Sequence, residues 1–386
     1  MKKYLRIVIS VTLIVCTSFT LTGCWDYSEM TDLEYVAGVA LDKDRNTKEY
    51  ILTIEVLEAS VSSKSIKSSI LQTKGKTIHQ AFRNAIKNSG KKLQLSHAKI
   101  LIFSRELAAE GVTPIIDFIN RDVEARNDMW VLISSMSSAS QILMKSKTSD
   151  EIISYDLADA IKNCKEIGSY IPIEVFRLID DIENECIAAM VPTVRVISQQ
   201  TKSYTEIDGM CIFKSSKCIG HLSGEETTFL QLMKVRKGRK AKYVLTFEPE
   251  KSQKVTLEIM KATKKIKPRF ENNNINMDVY INMDVALSEL AEKGINFVAK
   301  DNREELIKKC QKDIENKCCD ILKKIQYQYG TDVVGFGCSI SRNNPKLWKK
   351  IKYKWNDVYK NIKTNVYVKI NIKYSGLTNK NIKLGE

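Results

Sequence analysis

The sequence predicts an α+β protein: a mixed α/β N-terminal domain, then an α+β domain in which a one-faced antiparallel sheet packs on a long helix. Three observations carry this. Residues 33 to 135 alternate strand-like and helix-like runs, the layout of a mixed α/β layer. Ile275, Met277, Val279, Ile281, Met283 and Val285 alternate with mostly polar residues, and Val366, Val368, Ile370 and Ile372 repeat the pattern; period two buries one face of a sheet and wets the other. Between them Leu306, Cys310, Ile314, Cys318, Ile321 and Ile325 recur at spacings of three and four, the stripe of an amphipathic helix over about residues 302 to 328.

The chain opens with Lys2, Lys3 and Arg6, followed by the apolar run IVISVTLIVCTSFT. This is the layout of a secretory signal, too short and too rich in Ser and Thr for a spanning helix. Leu21-Thr22-Gly23-Cys24 ends the run and resembles the bacterial lipobox: the Cys24 thiol takes a diacylglycerol, and cleavage before it frees a lipidated N-terminus. The bland alternatives are a plain secretory signal with a chance cysteine, or an uncleaved anchor. Two lipid chains suffice to hold a protein at a bilayer, so the expectation is a soluble ectodomain tethered through Cys24. Residues 1–23 are the leader, 24–200 the N-terminal domain and 201–386 the C-terminal domain, with a further subdivision admitted near 240–252.

Within the first domain, LEYVAGVALDKDRNTKEYILTIEVLEA reads as a hairpin around a polar turn. ASVSSKSIKSS, residues 59 to 69, reads as a loop. KTIHQAFRNAIKNSG is a helix with Ile78, Ala81, Phe82 and Ala85 on one face and Gly90 as its stop. HAKILIFS and MWVLISS are buried strands, separated by short helices broken near Gly111 and Pro114. Residues 150 to 184 are mostly helical, and CIAAMVPTVRVIS returns to strand. The second domain opens with the hairpin IDGMCIFKSSKCIGHL; Ser223 and Glu226 then have capping-box spacing before an apolar run.

Loss of the leader's three cations lowers the net charge from +15 to +12. In an exported protein that excess points to an anionic membrane surface or acidic partners, with solubility alone as the alternative, and not to nucleic acid. Eight cysteines remain besides Cys16 and Cys24. Cys310 and Cys318 lie about 12 Å apart along one helix, too far to bridge. With Ser215-Ser216 as the turn, Phe213 faces Cys218 and Cys211 faces Gly220, so those two sulfurs are not opposed. Buried free thiols are the expectation.

His79, His97 and His221 have no metal-ligand spacing, and no nucleophile elbow or phosphate loop occurs. The Asp42, Asp44, Asn46 run lacks the glycine and glutamate of a calcium loop. Asp180-Asp181 has the look of a solvated helix face, and Gly335-Phe336-Gly337 reads as a tight turn. The expectation is a protein that is not an enzyme and has no cofactor. One surface feature stands out, PKLWKKIKYKWNDVYKNIKTN. Trp348, Ile351, Trp355 and Val358 or Tyr359 form a helical stripe, and Lys349, Lys350, Lys352 and Lys354 fill the rest. Residues 346 to 386 hold eleven lysines against two acids. Such a helix lies on a membrane or partner, or packs its stripe on its own sheet with the lysines simply wet.

Four blocks carry a family resemblance: GCWDYSEMTDLEYVAGVALDKD, LSHAKILIFSRELAAEGVTPIIDFINRDVEARNDMWVLIS, DGMCIFKSSKCIGHLSGEET and YGTDVVGFGCSISRNNPKLWKKIKYKW. In this order they resemble the Ger(x)C family of spore germination lipoproteins over nearly the whole mature chain; the loop at 59 to 69 has no counterpart in it. The resemblance implies the C subunit of a nutrient germinant receptor, anchored by lipid on the outer face of the spore inner membrane beside integral-membrane A and B subunits. The alternative is an extracytoplasmic lipoprotein that itself binds a small nutrient.

Overall fold

A computed structural model describes residues 2–20, 32–59, 66–122, 124–145, 151–200, 202–234, 242–250, 253–271, 274–291 and 300–374. The N-terminal apolar run lies in a helix, α1 (Lys2–Thr20). Among the described residues no helix is long and apolar enough to cross a membrane.

β1 (Leu33–Lys43), β2 (Tyr50–Ala59) and β3 (Ile66–Gly75) form an antiparallel meander. The Ser/Lys-rich segment is therefore not loop throughout: residues 66–69 pair with 56–59 of β2, while residues 60–65 lie outside the described residues. α2 (Ile78–Ser89) begins where Thr77 Oγ1 accepts the Gln80 N–H at 3.1 Å and ends at Gly90, whose φ of 74° suits glycine. It leads past β4 (Lys92–Gln94), beside the start of β1, to β5 (Ile100–Ser104). α3 (Arg105–Glu110) and α4 (Thr113–Arg121) cross to β6 (Trp130–Ser134). α5 (Ser140–Leu143), α6 (Ile153–Lys162) and α7 (Val175–Glu183) cross to β7 (Met190–Gln199). β1, β5, β6 and β7 are parallel neighbours, as helical crossovers require. β8 (Lys202–Lys214) and β9 (Lys217–Leu222) return antiparallel and complete a nine-stranded sheet.

Buried carboxylates on the meander position two of the crossover helices. Asp42 accepts the N–H groups of Ala139 at 2.6 Å and Ser140 at 2.9 Å, at the start of α5. Glu55 accepts those of Ile153 at 3.0 Å and Ser154 at 2.8 Å, at the start of α6. Each acid satisfies otherwise orphaned helix donors and is itself satisfied in the interior.

β7 and β8 pair across Gln200. The boundary expected near residue 200 lies between these paired strands, and the sheet continues to Leu222 because β8 and β9 extend its edge. α8 (Gly224–Lys234) follows, with the capping box formed in both directions: Glu226 N–H to Ser223 Oγ at 3.2 Å, and Ser223 N–H to Glu226 Oε2 at 2.8 Å. Phe229, Leu230, Leu232 and Met233 of α8 join a core shared by one face of the large sheet and the whole second sheet.

That second sheet has four strands in chain order: β10 (Val244–Glu250), β11 (Gln253–Glu271), β12 (Asn274–Ala291) and β13 (Lys363–Tyr374). Met277, Val279, Ile281, Met283 and Val285 of β12 are all buried, as are Val366, Val368 and Ile370 of β13. They pack on α9 (Lys300–Lys323), whose stripe from Leu306 to Ile321 is buried and runs on to Ile325 in a π-helical turn, Lys324–Tyr329. The sheet is not wholly antiparallel. β13 runs parallel to β12, because the long helical excursion that leaves the far end of β12 brings the chain back to the end where β12 began. That excursion continues through α10 (Phe336–Asn343), α11 (Pro345–Ile351) and α12 (Trp355–Lys360).

Candidate functional site

The stripe of the basic segment faces inward: Trp348, Ile351, Trp355 and Tyr359 are buried. The segment is not one helix but α11, a 3₁₀ turn at Lys352–Lys354, and α12. Trp348 and Trp355 meet edge to face at 5.3 Å, and Trp355 lies 5.9 Å from Tyr359. Gly337 makes room for both indoles: a Cβ there would lie 2.9 Å from Trp348 and 3.1 Å from Trp355.

With the stripe buried, the lysines project outward. Lys349, Lys350 and Lys354 are exposed, beside Tyr353 at 84% exposure. Lys352 differs: its Nζ pairs with Glu185 at 2.9 Å and lies 4.7 Å from the Tyr353 ring. The hydrogen bond to Glu185 raises its pKa.

Glu185 belongs to the loop between α7 and β7, which docks against the segment before α10. Ala188 N–H donates to the Asp332 carbonyl at 2.7 Å. The Asp332 carboxylate turns back on its own chain and accepts the N–H groups of Val334 at 3.1 Å, Gly335 at 2.8 Å and Gly337 at 2.8 Å. Gly335, with a φ of 90°, caps the start of α10, so residues 335–337 are the opening of that helix around the buried acid and not the expected tight turn. Burial pushes the Asp332 carboxyl up to about 6, against the pull of those amides and of Lys234.

Two clefts flank this junction and share Asp181 and Ile187. One, about 420 Å³, lies between the α7–β7 loop and residues Lys352–Asp357. The other, about 460 Å³, is lined by Phe176, Arg177, Asp180, Met190, Met210, Lys234 and Lys264 among others. The acidic pair at Asp180-Asp181 thus borders a cleft formed by both halves of the chain.

The structure does not gather the three histidines. His79 sits edge-on to Phe118 at 5.9 Å and His97 edge-on to Tyr35 at 5.3 Å. His221 is half-buried 3.3 Å from Thr193 Oγ1, its pKa lowered by burial and then by Arg105 and Lys324. Among the described residues no group of three or more His, Cys, Asp or Glu could hold a metal ion. Cys24 lies outside the described residues.

The expectation that all mature thiols are free fails at one hairpin: Cys211 and Cys218 are joined, with their Cα atoms 6.0 Å apart. Phe213 does face Cys218, but a bulge between Ile212 and Phe213 shifts the rest of the register, so Cys211 faces His221. Cys310 and Cys318 are free and buried.

Residues 26–196 match the family described as the spore germination protein N-terminal domain, and residues 208–376 match the spore germination B3/GerAC-like C-terminal domain. Spore germination protein B3 of Bacillus subtilis is 25% identical, over 88% of this chain and 90% of its own length. The putative spore germination protein YfkR of the same organism is 22% identical, over 96% and 97%. The crystal structure of the GerBC protein shares the fold at a TM-score of 0.59 and 19% identity, covering 90% of this chain and all of that one. Two domain families matched in order over most of the chain make it a member of the Ger(x)C spore germination family, the family of germinant receptor C subunits.

Proposed function

We propose that the protein is the membrane-tethered lipoprotein subunit of a nutrient germinant receptor. A diacylglycerol on Cys24 holds it at the outer face of the spore inner membrane, and it acts without catalysis, through contacts with integral-membrane A and B subunits. The observation that supports contact as its mode of action is the displayed basic turn. Lys349, Lys350 and Lys354 are exposed in the same short segment as an exposed Tyr353, and the stripe that would otherwise draw them down is already buried. Such a turn meets an anionic bilayer or an acidic subunit surface through screened but additive attraction.

A second reading has one observation in its favour. The 460 Å³ cleft is lined by Arg177, Lys234 and Lys264, by Asp180 and Asp181, and by apolar residues such as Ile171 and Phe176, and its size suits a small ligand. The alternative of a nutrient-binding lipoprotein draws its support there.

Purification of the tagged protein from spore membranes tests both. The expected preparation contains the A and B subunits and a mature chain beginning at a diacylglycerol-modified Cys24. A chain that starts elsewhere, or Cys24→Ala protein still processed and membrane-held, overturns the tether. Absence of A and B, together with saturable binding of a nutrient to the isolated protein, replaces the first reading with the second.

A further inference from the structure

Cys186 lies in the loop between α7 and β7, next to Glu185; Cys338 lies in the first turn of α10. Two contacts already hold the loop in this region, the Ala188–Asp332 backbone hydrogen bond just before α10 and the Glu185–Lys352 ion pair to the turn after α11. A third brings the cysteines themselves close. Gly337 approaches the Cys186 carbonyl so nearly that a Cβ there would lie 2.8 Å from the oxygen. Its chain neighbour Cys338 therefore lies close to Cys186; both thiols are free in this structure, and the Cys186 sulfur is among the neighbours that raise the Cys338 thiol. The loop belongs to the large sheet and α10 to the excursion from the second sheet, so this contact spans the two bodies.

We propose that Cys186 and Cys338 form a disulfide that staples the α7–β7 loop to α10. The nearby Cys211–Cys218 bond fits a chain that meets an oxidising compartment. The oxidant is a thiol–disulfide exchange partner. One cysteine thiolate attacks a sulfur of the partner's disulfide, forming a mixed disulfide and releasing the partner's first thiolate. The second cysteine thiolate then attacks the mixed disulfide and displaces the partner. One S–S bond forms in the protein, the partner's S–S bond is reduced by two electrons, and the two thiol protons end on its dithiol. Burial and the neighbouring Cys186 sulfur push the Cys338 thiol up to about 12, so the dithiol form resists small alkylating reagents. The test must therefore unfold the protein before counting thiols.

The full-length protein is recovered from the membrane of the cells that make it, unfolded in alkylating reagent without reductant, and digested. The expected result is a peptide pair joined through Cys186 and Cys338 that disappears when reductant is added first. Cys186→Ser should leave Cys338 fully alkylated, and Cys338→Ser should do the same for Cys186. Melting gives an independent readout. Reduction should lower the wild-type melting temperature more than that of Cys338→Ser, since both proteins lose Cys211–Cys218. Alkyl groups on both Cys186 and Cys338 in unreduced wild type overturn the staple. So does a bond from either to any other cysteine, or an equal melting shift in the two proteins.

Discussion

The backbone N–H of Val368 donates to Glu315 Oε1 at 3.0 Å, and this bond closes the edge of the second sheet. One step along the strand, Ile370 N–H donates to Gln311 Oε1, also at 3.0 Å. Four residues of helix rise about 6 Å and two residues of strand about 6.7 Å, so acceptors at i and i−4 on α9 keep step with alternate amides of β13. An open edge strand is a template for pairing with other chains; here helix side chains occupy its donors.

Glu315→Ala should therefore leave the Val368 amide without its acceptor and cost about 1 kcal/mol. Glu315→Gln keeps an oxygen in place and should cost less. Denaturant unfolding of both variants measures the energy, and hydrogen exchange at Val368 locates it. If the Val368 amide is as protected in the Ala variant as in wild type, the edge is closed by something else.

Periodicity revealed the α9 stripe and the dry faces of β12 and β13, because burial writes itself into residue type. Edge closure left no such mark: Glu315 and Gln311 sit on the flank of the stripe and look like ordinary solvated residues until β13 lies beside them. β11 was missed because its apolar alternation through Val255, Leu257 and Ile259 is broken by a bulge before Lys261 and then runs into lysines. The direction of β13 and the Glu185–Lys352 contact depend on chain separated by long helical excursions. The disulfide reading failed for a local reason: it counted only directly opposed residues, whereas Cys211 and Cys218 lie diagonally across the hairpin with their Cα atoms 6.0 Å apart. In the basic segment the stripe was legible, but the 3₁₀ break at Lys352–Lys354 was not.

Asp332 should give the protein a distinctive pH response. Its folded pKa, about 6, is raised above the ordinary carboxylate value of 3.8, so between these values the folded state binds more protons than the unfolded state. Stability from this group is fully present below about pH 4 and is lost as pH rises to about 6, by at most about 3 kcal/mol. Asp332→Asn removes the titration, though it also sets an amide against one of the backbone donors. Denaturant midpoints at pH 4, 5, 6 and 7 should show a wild-type decline relative to Asp332→Asn. A constant difference between the two proteins would mean that the amides keep Asp332 ionised throughout.

Cys310 and Cys318 should be slow to alkylate in the native protein. Both are buried on the dry side of α9, and burial pushes Cys310 up to about 11 and Cys318 higher still. Two pKa units reduce the thiolate fraction about a hundredfold, before any steric exclusion. Mass spectrometry of native and unfolded protein exposed to iodoacetamide reads the difference. Equal rates in the two states would place both thiols outside the core.

The basic turn permits a separation of docking from folding. Lys349, Lys350 and Lys354 are exposed, so changing all three to Glu should cost no more than about 0.5 kcal/mol each. Lys352 is left out of that variant because Glu there would face Glu185 and disturb the α7–β7 loop. The triple change reverses the field that an anionic membrane or an acidic subunit meets. The expected outcome is a folded, abundant protein whose spores respond poorly to nutrient and from which A and B no longer co-purify. Trp355→Ala should behave oppositely. It removes a buried ring from between Trp348 and Tyr359, should cost about 3–5 kcal/mol, and should lower abundance in the spore membrane. Thermal unfolding, membrane level and germination rate, measured side by side, sort the two effects. Normal germination with the triple-Glu protein would reduce this lysine cluster to a solvated surface and leave the docking face to be sought elsewhere on the molecule.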